Sequence, residues 1–154
     1  MTARQANPTI HASAVLVGSH AVLIRGPSGS GKSRLAFALI LAGGAGVIAP
    51  TQLIGDDRIQ LSAADGALVV RPAESLAGLL EIRGLGIRQL PFAGHGQVAF
   101  VVDLDAADAA RLPAVPALEV KLNGIKCARI PVGKGFDALP LVIAALITNA
   151  AKVS

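Results

Sequence analysis

Eight consecutive residues carry the clearest chemistry in this chain: Gly26-Pro27-Ser28-Gly29-Ser30-Gly31-Lys32-Ser33 meets the pattern G-x-x-x-x-G-K-[ST]. Glycines reach positive φ and let successive backbone N–H groups converge on phosphate oxygens, while a helix starting there adds the partial positive charge of its N-terminus. Lys32 is placed to reach the outer phosphates of a nucleotide, and Ser33 Oγ to bind Mg²⁺. The pattern alone recurs by chance, so its surroundings decide. A mostly apolar run at 21–25 precedes it and a helix-favouring run at 32–41 follows it, which is the strand–loop–helix context that the chemistry needs. The implied ligands are ATP and Mg²⁺.

A metal-bound triphosphate needs a carboxylate near the metal, and transfer to a hydroxyl benefits from a carboxylate that accepts the proton. Asp56 and Asp57, at the end of the apolar run 53–57, supply two acids. Neighbouring strand residues point to opposite faces, so both serve one site only if the strand ends there. Spacing alone says less about the other polar residues. Glu81 and Arg83 read as a surface ion pair, His11 and His20 as structural hydrogen-bonding residues, and His95 and Arg111 as solvated loop or helix residues.

Composition removes several function classes. The single cysteine, Cys127, excludes an intramolecular disulfide and a Cys-based zinc cluster, and its apolar neighbours predict a buried thiol. The formal charge of +4 is scattered, and 3% aromatic residues with no Trp or Tyr leave few platforms for base stacking, so a nucleic-acid partner is not expected. Residues 35–55 are uncharged, but Gly43, Gly44, Gly46 and Pro50 interrupt them, and residues 1–18 lack an export signal; a cytoplasmic protein with no membrane partner is expected.

The elements that must position these residues follow from periodicity and turn chemistry. Residues 14–17 and 21–25 read as two strands around Gly18-Ser19-His20, and 32–41 as a buried helix that Gly43-Gly44 ends. Asp65-Gly66 joins 59–61 to 68–70 and Asn123-Gly124 joins 118–122 to 125–130, both as hairpins. Residues 98–104 are apolar enough for a strand buried on both faces. Residues 137–151 predict a C-terminal helix capped by Asp137. The expected fold is α/β: a single domain over 1–154, with one phosphate-binding loop, a mixed hairpin-rich sheet and a C-terminal helix.

Taken together, the loop at 26–33, Gly55-Asp56-Asp57-Arg58, and Leu79-Leu80-Glu81-Ile82-Arg83-Gly84-Leu85-Gly86-Ile87 resemble the catalytic domain of HPr kinase/phosphorylase, in its short bacterial form without the N-terminal domain. The resemblance implies transfer of the γ-phosphoryl of ATP to a serine of the phosphocarrier protein HPr, with a phosphate-driven reverse reaction. It implies that His11 is the active-site histidine, that Lys32 contacts phosphates, that Ser33 and Glu81 bind the magnesium, and that Asp56 supports the metal or orients Asp57. Asp57 becomes the base of phosphorylation and Arg111 a catalytic arginine, and the Arg83-Gly84 pair joins the site. It also implies a homo-oligomer, a hexamer in the family.

Pro131-Val132-Gly133-Lys134-Gly135-Phe136-Asp137 stands where the family carries arginines linked to dephosphorylation, with Lys134 replacing some of that charge as a point rather than a planar fork. Arg34 stands where the family commonly has an acid. Kinase activity is therefore better supported than the reverse reaction. A kinase acting on a small molecule and a non-catalytic nucleotide sensor are the alternatives.

Overall fold

Residues 8–151 are described by a computed structural model. Their elements are β1 (Thr9–Ile10), β2 (Ser13–Val17), β3 (His20–Arg25), α1 (Lys32–Gly44), β4 (Thr51–Gly55), β5 (Ile59–Ala64), β6 (Ala67–Pro72), β7 (Leu79–Ile82), β8 (Gly86–Gln89), β9 (Gly96–Asp103), β10 (Glu119–Leu122), β11 (Ile125–Pro131) and α2 (Ala138–Ile147). The main sheet runs β1-β5-β6-β9-β3-β2-β4, and β7 and β8 form a separate two-stranded ribbon. The fold is the expected α/β type, with a large mixed sheet and a C-terminal helix.

β9 is the branch point of the sheet. It lies parallel to β3 along its length, while its other edge pairs first with antiparallel β6 at Gly96 and Gln97 and then with parallel β11 from Phe100 to Asp103. Three parallel strands, β3, β9 and β11, therefore end side by side. Ligands of open α/β sheets bind beyond such carboxyl ends.

Strand alternation sorts the core into two layers. Val22 and Ile24 of β3 face α1 and α2 together with Leu35, Leu39, Val102 and Val142. Ala21 and Leu23 face the opposite way, into a cluster with Ile54, Leu68, Val70, Val101 and Cys127 that the hairpins close. Both hairpin turns form as expected, with Asp65 and Gly66, and Asn123 and Gly124, at positive φ.

Four expected boundaries differ. α1 runs past residue 41 and takes in Gly43 and Gly44 as its last residues, and beyond the C-cap Ala45 the chain turns out of the helix on Gly46 at φ 78, with Val47 N–H donating to Ala42 O. Gly43 has a packing role, because a Cβ there would lie 2.7 Å from the backbone nitrogen of Thr51 as β4 crosses the helix. α2 ends at Ile147 rather than residue 151, where Thr148 turns extended and its hydroxyl donates back to Ala144 O. Only the last three residues of β9 are buried on both faces, since Gln97 and Ala99 are exposed. Leu118 ends a 3₁₀ turn, Val115–Leu118, instead of opening β10.

Candidate active site

β3 runs straight into the glycine loop, and the loop runs straight into α1. Gly31 is the N-cap of α1 at φ 102 with no side chain capping it, and Gly29 sits at φ 81. Positive φ of this kind is what lets successive N–H groups of such a loop converge on an anion. Lys32 Nζ bends back over the loop and donates to Gly26 O at 2.8 Å and Pro27 O at 3.1 Å. Ser30 Oγ is buried without a hydrogen-bond partner.

β4 delivers the acids. The strand stops at Gly55, so the condition for both aspartates to serve one site is met by a tight turn in which Arg58 N–H donates to Asp56 O, with Asp57 at φ 68. That positive φ is a strained conformation for a residue with a side chain, and such strain concentrates at functional sites. The turn separates the two carboxylates. Asp56, 5% exposed, points inward and accepts Ser33 Oγ at 2.7 Å, Ser13 Oγ at 2.6 Å and the backbone N–H of Glu81 at 3.2 Å. Asp57 points outward, its side chain 68% exposed.

His11, between β1 and β2, meets Asp57 with Nδ1 at 3.7 Å from Oδ1. Its Nε2 lies 3.0 Å from an Arg58 guanidinium nitrogen, which can only donate, so Nε2 accepts and the ring proton sits on Nδ1, facing Asp57. Glu81 lies on β7 with its side chain in solvent, and its link to Asp56 is through the backbone. Arg83 and Gly84 form the exposed turn between β7 and β8, with Gly84 at φ 87. Arg111 is exposed in the irregular segment after β9 and makes no hydrogen bond or ion pair among the described residues. Lys134 is exposed on the loop between β11 and α2. The structure thus brings His11, Lys32, Ser33, Asp56, Asp57 and the Glu81 backbone into one connected region, and links neither Arg111 nor Lys134 to it by a polar contact.

Sequence reasoning missed two supporting groups. Ser13, fully buried on β2, holds Asp56 and also accepts the Asp57 N–H at 3.4 Å. Under the loop, Asp103 accepts Arg25 Nε at 2.8 Å and Arg25 Nη2 at 2.7 Å, and also Arg129, which reaches Asp108 as well. Burial pushes the Asp103 carboxyl up, but the two guanidiniums outweigh burial and hold it below the usual carboxylate range. A signal was there: Arg25 and Asp103 are charges at the ends of apolar runs. What pairs them is the parallel register of β3 and β9, which no local pattern contains.

The residues suit a magnesium nucleotide. Magnesium takes one or two carboxylates plus phosphate oxygens and water rather than an all-protein cage, and the described residues hold no cluster of three or more acids, histidines or cysteines placed for a metal. Ser33 Oγ and the Asp56 carboxylate face each other at the first turn of α1, and Ser30 Oγ is an unpaired polar atom in the loop itself.

Strand, glycine loop, helix and a hydroxyl–carboxylate pair at the helix start define a P-loop nucleotide-binding fold. Comparison with known proteins narrows that class. The chain matches the HPr Serine kinase C-terminal domain over residues 3–153, and it belongs to that family. It is 42% identical over 80 residues to the HPr kinase/phosphorylase of Streptococcus thermophilus, a stretch covering 51% of this chain and 24% of that protein. It is 32% identical over 158 residues to the HPr kinase/phosphorylase of Lactococcus lactis, covering 94% of this chain and 48% of that one. The chain therefore spans about half the length, or less, of the curated relatives it matches. The solved structure of the Hpr(Ser) kinase/phosphatase from Coxiella burnetii superimposes with a TM-score of 0.70 at 27% identity, covering 92% of this chain and 94% of that one.

Proposed function

We propose that this chain is an ATP- and magnesium-dependent kinase that phosphorylates a serine of an HPr-type phosphocarrier protein. The observation that carries the reading is the division of labour at the end of β4: Asp56 is buried against the loop serine, and Asp57 is exposed beside His11. A protein hydroxyl can approach only the exposed acid. Asp57 accepts the serine proton, and His11, whose Nε2 meets Arg58, stands with Nδ1 3.7 Å from that carboxylate and helps aim it. Lys32 and the loop N–H groups stabilise charge on the transferring phosphoryl group, after Lys32 exchanges its loop carbonyls for phosphate oxygens.

Ser33, Asp56 and Glu81 would hold the magnesium, which when bound neutralises charge on the outer phosphates. Ser13 and the Glu81 N–H keep Asp56 pointed at Ser33. By resemblance, Arg111 supports the transferring group, Arg83 and Gly84 belong to the site, and Lys134 replaces some of the charge of the arginines that the family carries in that loop. A cytoplasmic location and assembly into a homo-oligomer are part of the same reading. The lack of arginine at 133–137, where the family carries arginines linked to dephosphorylation, favours phosphorylation over the reverse step.

The test incubates the chain with ATP, Mg²⁺ and purified HPr and looks for phosphoserine by mass spectrometry. Phosphate appearing on HPr serine is expected. Hydrolysis of ATP with HPr left unmodified would overturn the acceptor assignment.

A further inference from the structure

The loop accounts for the phosphates of a nucleotide, and the two sides of β3 are built differently. On one side, β2 and β4 bring Ser13, Asp56 and Asp57. On the other, β9 and β11 run parallel to β3, and the segments that follow them pass beside the loop. Between those segments and the first turns of α1 lies a cleft of about 510 Å³, with Ser30 and Gly31 at one end and Leu35, Ala38, Leu104 and Phe136 along its apolar wall. That volume lies within the range of small-molecule sites, and the position, beyond the carboxyl ends of parallel strands, is where α/β sheets hold ligands.

Phe136 is the unusual member of this wall. It is 76% exposed, in a chain with four phenylalanines and no Trp or Tyr. Its position is nonetheless defined: Phe136 N–H donates to Gly133 O at 3.1 Å, Gly135 turns the backbone at φ 84, and the ring lies so close over Gly133 that a Cβ there would be 3.1 Å from Cδ2. An aromatic ring held in place at the mouth of a cleft with one apolar wall and with Arg34, Asp105 and Asp137 among its polar lining, most of the ring's surface being in water, matches the needs of a flat aromatic ligand that also carries polar edges.

We infer that this cleft is the base subsite of the nucleoside triphosphate, with Phe136 stacking on the base. The inference rests on the loop binding a nucleotide, as proposed above, and adds which end of the donor goes where: phosphates and metal toward β4, base toward β9 and β11. Ser30, unpaired at the junction of loop and cleft, is a donor available to the part of the ligand that passes between them.

The experiment compares magnesium ATP with magnesium tripolyphosphate, which has the phosphates and no base, by isothermal titration calorimetry on the full chain and on Phe136→Ala and Phe136→Trp. ATP is expected to bind the native chain more tightly than tripolyphosphate. Phe136→Ala is expected to weaken ATP by about fivefold or more, the lower end of a base–aromatic stack, and to leave tripolyphosphate within about twofold. Phe136→Trp restores ATP affinity, and as the sole tryptophan its fluorescence changes on adding ATP and not on adding tripolyphosphate. An unchanged ATP affinity in Phe136→Ala, an equal loss for both ligands, or a silent tryptophan overturns the base subsite. A native chain that binds neither ligand overturns the reading of the loop instead.

Discussion

Replacing Asp103 with Asn tests the ion-pair network beneath the loop and has a definite magnitude and pH signature. Asp103 sits at the end of β9 with its side chain 13% exposed, between Arg25 at 28% and Arg129 at 13%. Asn keeps the shape and one acceptor but leaves the partly buried Arg25 without its counter-charge and Arg129 with only the exposed Asp108. Removing one partner from a buried pair costs about 3–5 kcal/mol, and since these groups retain some contact with water the lower end applies, about 3 kcal/mol at neutral pH. For a urea slope of about 2 kcal/mol per molar, the unfolding midpoint falls by about 1.5 M.

The pH dependence follows from the depressed pKa. In the unfolded chain Asp103 takes up a proton near pH 4, while in the fold the guanidiniums delay that uptake to lower pH. Its contribution is thus fully present above pH 4 and lost as pH falls through the folded value. The difference between native and Asp103→Asn stability should shrink between about pH 4 and the onset of acid unfolding, followed by urea denaturation with circular dichroism. A difference below about 0.5 kcal/mol at pH 7, or one that stays constant on acidification, would refute the reasoning.

Gly43→Ala should destabilise by about 1–3 kcal/mol, because the added Cβ meets Thr51 backbone, whereas Gly44→Ala, which meets nothing within 4 Å, should gain about 0.5–1 kcal/mol from helix propensity. Thermal melts separate the two, and a raised Tm for Gly43→Ala contradicts the close approach of β4. Asp57→Asn should lower the rate of phosphate transfer to HPr at least about 100-fold while magnesium ATP binds with an unchanged Kd, since Asp57 lies outside the loop contacts; normal turnover removes Asp57 from the role of base. Burial pushes the Cys127 thiol up, so iodoacetamide at pH 8 should label it slowly in the folded chain and rapidly in urea, read by mass spectrometry; equal rates would place the thiol at the surface.

Much of the site was legible without coordinates because its parts are local. The glycine loop, the helix after it and the paired aspartates at a strand end are decided within about a dozen residues by φ preference, helix-favouring composition and a charge closing an apolar run. Both hairpins were legible for the same reason, since Asp-Gly and Asn-Gly tolerate the positive φ of a tight turn. Boundaries were less legible. Gly43 looks like a helix stop in one dimension, and only the crossing of β4 gives it another use.

The remaining features depend on pairing across long stretches of chain. Ser13 and Asp56 are 43 residues apart and meet because β4 lies on β2; Arg25 and Asp103 are 78 apart and meet because β9 lies parallel on β3. Phe136 borders the glycine loop only because β11 continues that parallel set. Local chemistry determined that a glycine loop opens a helix at 26–33 and that two acids close an apolar strand at 56–57. Tertiary register settled which acid turns toward the loop, which turns toward water, and what supports the loop from beneath, because a hydrogen bond or ion pair across the sheet exists only once both strands are in place.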